Sequence, residues 1–282
     1  MIGANATVFQ LKPSTYFSTG QRINIVVSYN KYLSGNSLFM VHIENLNLSQ
    51  QVTNKLGKAI INGEYTTESG LPTEAKLCKE YGISRTAVRE AVKMLAAKGL
   101  ISSKPRQGIR VEPATTWNLY DTSVLKWLLE SSPSLYVLRD FLQVRLAIEP
   151  QAAALAASRA DKAAIAEIAI ALEKMQDAAD SPDGEIHEAD LSFHTAILFA
   201  SGNHFFFQLR DFICTALNVS IQHTTPAKGS KRAIADEHFK VYQAILNGEA
   251  ERAKNMMAYM IDEAMSFIEK EIAEKESNTS SK

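Results

Sequence analysis

The sequence predicts a mainly α protein in two parts: a small head of three helices closed by a two-stranded basic wing, and an all-helical bundle behind it. Three observations carry this expectation. Leu71 to Leu100 reads as two short helices joined by a tight turn; Leu100-Ile101 followed by Lys104, Arg106 and Arg110-Val111 reads as a hairpin; and from Ser134 onward the apolar residues fall at helical spacing, with no competing strand pattern. The chain has 282 residues, 46% of them apolar, which is enough for two cores, and no uninterrupted apolar run reaches membrane-spanning length.

Met1 to Phe39 fits neither part, mixing Asn, Ser, Thr and Tyr with short apolar runs, and carries no secretory leader. We expect residues 1–39 to be an N-terminal extension, disordered or upstream of a true start at Met40. The head spans 40–113. Its first helix begins near Ser49, places Val52, Leu56, Ile60 and Ile61 on one face, and stops at Asn62-Gly63. Thr73 caps the second helix, which runs to Tyr81 before the turn at Gly82-Ile83. Ser84 caps the third. There Val88, Val92 and Leu95 form the inward stripe, leaving Arg85, Thr86 and Arg89 on another face near the N-terminus.

That face is what a DNA major groove requires, because recognition helices read base edges with their first turns and Arg can hold guanine bidentately. Thr73 and Ser84 beside it, with Lys104, Arg106, Gln107 and Gly108 of the wing, complete the expected DNA contacts. One exposed Arg is ordinarily only a solvated charge; the constellation carries the argument. Charge agrees: residues 46–112 hold 11 basic and 6 acidic side chains, net +5, whereas the chain from Pro113 onward holds 16 and 24, net −8. Two cysteines, Cys78 and Cys214, lack metal or redox spacing and suit a reduced cytoplasm.

These motifs resemble the GntR family of bacterial transcription factors. The matching residues are Leu71-Pro72-Thr73-Glu74, Ser84-Arg85-Thr86-Ala87-Val88-Arg89-Glu90-Ala91-Val92, Gly99-Leu100 and Gly108-Ile109-Arg110-Val111. Ala75 departs from the pattern, since the family usually has a DNA-contacting Arg there. The resemblance implies a winged helix-turn-helix head on a double-stranded, palindromic operator, read by a homodimer because one head covers a half-site.

The second part is expected over 117–275 as an effector-binding and dimerisation bundle, with helix breaks near Asp180 to Gly184, Gly202-Asn203, Pro226 to Gly229 and Asn247-Gly248, and a disordered tail at 276–282. It resembles the all-helical FCD domain of the fatty-acid-regulator subfamily, on Val144-Arg145-Leu146-Ala147-Ile148-Glu149-Pro150, Asp190 with His194, Ser201-Gly202-Asn203 and Glu237-His238. The Trp117-Asn118 opening is most similar to regulators of sugar-acid catabolism, galactonate in particular.

Asp190 and His194 are four apart and share one helical face, a spacing that holds a metal or, more commonly, a plain hydrogen bond. The resemblance adds His238 as a third ligand for zinc, nickel or manganese, whereas the fourth family position falls on Met260, a soft thioether. We therefore expect divalent metal to bind weakly or not at all. Arg145, on an Ala- and Leu-rich helix, suits capture of an effector carboxylate, with an internal ion pair to Glu149 as the alternative. Asn218 and Gln222, again four apart, are candidates for hydrogen bonds to the hydroxyls of a sugar acid.

Taken together, the residues predict a cytoplasmic, ligand-responsive transcription regulator, a repressor of a carboxylate catabolic operon, and not an enzyme. The competing reading is a metal-dependent enzyme using Asp190, His194 and His238, which leaves the basic head without a task and lacks a nucleophile motif or phosphate loop.

Overall fold

A computed structural model describes residues 47–104, 108–131 and 134–280. The expectation for residues 1–39, and the wing residues Arg106 and Gln107, lie outside the described residues.

Helix α1, Leu48–Ile61, starts where Asn47 and Gln50 cap each other reciprocally, each side chain accepting from the other's backbone N–H at 2.9 Å. Helix α2, Glu74–Tyr81, starts at Thr73 and ends at Gly82, whose φ of 63° is the left-handed conformation that closes the turn. Helix α3, Arg85–Ala97, is capped by the Ser84 hydroxyl and buries Val88, Ala91, Val92 and Leu95. Strands β1, Ile101–Lys104, and β2, Gly108–Val111, pair antiparallel with Ile101 opposite Val111, and both side chains join the head's core.

Helix α4, Thr122–Ser131, follows, and it belongs to both parts. Its Val124 and Trp127 complete the head's core. Gly57 of α1 is required there, because a Cβ at that position would stand 2.3 Å from the Trp127 ring. A second tie runs through Asp121, which accepts from the N–H groups of Ser123 and Val124 at the start of α4 and from the ammonium of Lys98, the C-cap of α3, at 2.7 Å.

The bundle is built on α5, Leu135–Arg159, lying along α11, Ala250–Ser280. Around this pair stand α6, Lys162–Asp180, α7, His187–Ala200, the short α8, His204–Gln208, α9, Arg210–Lys228, and α10, Lys231–Leu246. Two expected breaks differ from the structure. Helix α9 continues through Pro226 to Lys228 and stops only at Gly229, with φ of 85°, because proline near a helix end forfeits a single backbone bond. Helix α11 passes the expected end at 275 and is helical to Ser280; Lys275 pairs with Glu271 at 3.1 Å, and Glu276 accepts from the Tyr136 hydroxyl at 2.6 Å, tying that turn back to α5.

Candidate functional site

Two groups of side chains stand apart from the packing. The first is on the head. Capping by Ser84, whose hydroxyl accepts from the Ala87 N–H at 3.2 Å, leaves Arg85, Thr86 and Arg89 exposed on the face of α3 away from its buried stripe. Arg89 is steered by Glu74, whose carboxylate accepts from its Nε at 3.0 Å. The Thr73 and Ser84 hydroxyls are engaged in caps, so their use on DNA would compete with helix initiation. Lys104 is exposed at the end of β1, opposite Gly108, which is also exposed.

The second group is buried in the bundle. Arg145 and Glu149 come from α5, Asp190 and His194 from α7 and His238 from α10, at relative exposures of 4%, 1%, 6%, 3% and 2%. Helical spacing alone aligns Arg145 over Glu149 and Asp190 over His194; packing of α5, α7 and α10 brings the three helices together. Glu149 is the hub. Its Oε1 accepts from Arg145 Nε at 2.5 Å, and its Oε2 from Arg145 Nη2 at 3.2 Å and His194 Nδ1 at 2.5 Å. Burial works to raise the Glu149 pKa, but Arg145 and then His194 outweigh it and hold the carboxyl at about 2. Asp190 is likewise held well below the usual carboxylate range: burial opposes this, and His238 and His194 prevail. Burial disfavours the charged form of His194, yet Glu149 and Asp190 raise its pKa.

Asp190 Oδ1 lies 3.2 Å from His194 Nε2 and 3.5 Å from His238 Nε2. Nevertheless Asp190 Oδ1 and His238 Nε2 are buried atoms without a hydrogen-bond partner. The reason is on the other side of the ring, where His238 Nδ1, 2.7 Å from the Ile234 carbonyl oxygen, must donate to it. With Nδ1 so engaged, Nε2 faces the carboxylate oxygen, and a proton or a cation between them would satisfy both atoms. The one-oxygen, two-nitrogen donor set, with its atoms within 4.8 Å of one another, fits zinc, nickel or manganese. Met260 lines the same cavity and supplies no anionic or imidazole donor.

That cavity, of about 30 Å³, has Arg145, Asp190, His194 and His238 in one corner. From α9 it receives Leu217, Ile221 and Thr224, a stripe that polarity could not reveal but that spacing could have. Asn218 is corrected accordingly: it is exposed and pairs with His187 Nε2 at 2.5 Å, because it lies one residue beyond the inward stripe. The Gln222 side chain lies outside the described residues.

A basic helix-turn-helix head welded through a shared helix to a bundle with a buried ionic cavity defines a one-chain sensor of DNA and small ligand. The comparisons agree. Residues 48–111 match the bacterial regulatory proteins of the gntR family and residues 140–263 match the FCD domain. The chain belongs to the GntR family of bacterial transcription regulators, with an FCD domain behind its DNA-binding head. It is 34% identical to the galactonate operon transcriptional repressor of Escherichia coli over 77% of this chain and 94% of that protein. To the Glc operon transcriptional activator of Escherichia coli it is 31% identical, over 71% and 80%. The solved structure of Lar from Listeria monocytogenes shares the fold at a TM-score of 0.53 and 18% identity, covering 80% of this chain and 98% of that one.

Proposed function

We propose that this ligand-responsive, DNA-binding regulator acts as a cytoplasmic homodimeric repressor on a palindromic operator, released by a small carboxylate, with sugar acids the class its resemblance suggests first. The head over residues 40–113 supplies base contact through Arg85 and phosphate contact through Arg89, flanked by Thr86 and the wing; the bundle over 117–275 senses and dimerises. No enzymatic step is assigned, since the polar residues that line the cavity serve to bind and orient an anion.

The observation that supports the effector reading is the charge of the buried cluster. Arg145, Glu149 and Asp190 sum to −1, so a proton on His194 brings the cluster only to neutrality. A divalent ion on Asp190, His194 and His238 would supply the net positive charge that draws a carboxylate. Arg145 then orients the carboxylate, Glu149 holds His194 with its Nε2 toward the ligand, and the aliphatic side of the cavity excludes water. Operator titration with and without candidate acids tests this: Arg145→Ala should keep operator affinity and lose release, and a variant that still responds normally would remove Arg145 from the effector site.

A further inference from the structure

The stretch from Thr116 to Asp121 joins head to bundle, and it is stitched to the end of the recognition helix. A helix leaves its last carbonyls without internal partners. At the end of α3 the Lys98 carbonyl accepts from the Asn118 N–H at 3.0 Å, and the Gly99 carbonyl accepts from the Thr116 hydroxyl at 3.0 Å. Gly99 has φ of 77°, and a Cβ there would stand 2.2 Å from the Thr116 carbonyl oxygen, so the joining segment lies directly on that turn. The Lys98 ammonium binds Asp121 at 2.7 Å and also lies over the Trp127 ring, 5.7 Å from its centroid. A lysine with two partners in reach can trade one for the other when Asp121 moves.

On the bundle side, aromatic rings continue from this pin into the core. Tyr120, next to Asp121, meets Phe212 of α9 at a centroid distance of 5.0 Å, and Phe212 meets Phe141 of α5 edge to face at 5.6 Å. The Arg145 guanidinium lies 5.9 Å from the Phe141 ring centroid. Phe141 and Phe212 are buried, whereas Tyr120 is 62% exposed, so little of the fold's apolar burial depends on it. We propose that Tyr120 and Asp121 are positioning residues for DNA reading, which tie the recognition helix to the bundle through Lys98 and Phe212 and make the two parts respond to each other. This rests on the regulator reading of the head and needs no ligand in the cavity. Packed side chains carry coupling where a link has two arrangements, here the Lys98 link. A constraint placed on α3 must then be felt reciprocally at α9.

Hydrogen exchange of the full chain, free and saturated with a palindromic operator duplex, reads both ends of this tie at once. DNA should slow exchange in α3 and, by about 5-fold or more, in the first turns of α9 around Phe212. In Tyr120→Leu the slowing at α3 should persist and that at α9 should vanish, and Tyr120→Phe, which restores the ring, should bring it back. Asp121→Asn keeps an acceptor for the Ser123 and Val124 N–H groups but removes the charge that holds Lys98, so it should lose the α9 effect as well. Slowing at α3 with none at α9 in the unmodified protein would overturn the coupling. Slowing at α9 that survives both Tyr120→Leu and Asp121→Asn would overturn these residues as its route. No acid enters the experiment, so failure of the carboxylate reading and failure of this one are told apart.

Discussion

A carboxylate 1% exposed is destabilising unless its charge is matched, and Glu149 is matched twice, by Arg145 and by His194. With the carboxyl held at about 2, the contribution is present above the ordinary carboxylate range and is lost as pH falls toward 2. Met260 makes the complementary point: a neutral thioether lines the same cavity as two imidazoles and a carboxylate. Met260→His should raise zinc or nickel affinity markedly, read by competition against a chelator, and no change would show that position 260 does not face the ligand cluster. On the head, Arg85→Ala should cost about 1–3 kcal/mol and relax operator specificity, whereas Arg89→Ala should weaken all sequences alike and flatten the salt dependence. Binding titrations on operator variants over a salt series distinguish the two. The spacing of Asp190 and His194 was legible because it is a property of one helix. His238 and Met260 rested on resemblance, and Glu149's hold on His194 was invisible, since it exists only where α5 packs on α7.

Among the elements, α4 has the least obvious allegiance. The linker and apolar pattern place it with the bundle, yet Val124 and Trp127 sit in the head's core, and beside its start Tyr120 meets Phe212 of α9 with ring centroids 5.0 Å apart. Lys98 at the end of the recognition helix is fixed on one side by Asp121 and on the other by the Asn118 N–H, which its carbonyl accepts at 3.0 Å. Helix α9, which lines the cavity, therefore reaches the base of α3 through packed contacts, Phe212 on Tyr120 and Asp121 on Lys98. Gly57→Val should cost about 1–3 kcal/mol by driving Cβ into Trp127, measured by urea unfolding; an unaltered midpoint would show that α4 is not seated on α1. Helix ends of the head were readable from Thr73, Gly82 and Ser84 because caps are local chemistry. Pro226 and the turn after 275 were not, because packing and i,i+4 pairing extended helices that composition alone would have ended.

At the scale of the whole molecule, the charge asymmetry suits DNA at one end only, a head of net +5 on a bundle of net −8. No described helix is long and apolar enough to cross a membrane. If the carboxylate and the operator favour different arrangements of the same chain, thermodynamic linkage makes their opposition reciprocal. Calorimetric titration of galactonate into the free protein and into its operator complex measures this coupling. The expected result is a lower acid affinity on the operator complex, by the same factor by which saturating acid lowers operator affinity; equal acid affinity in the two titrations would contradict a regulator that senses through this cavity.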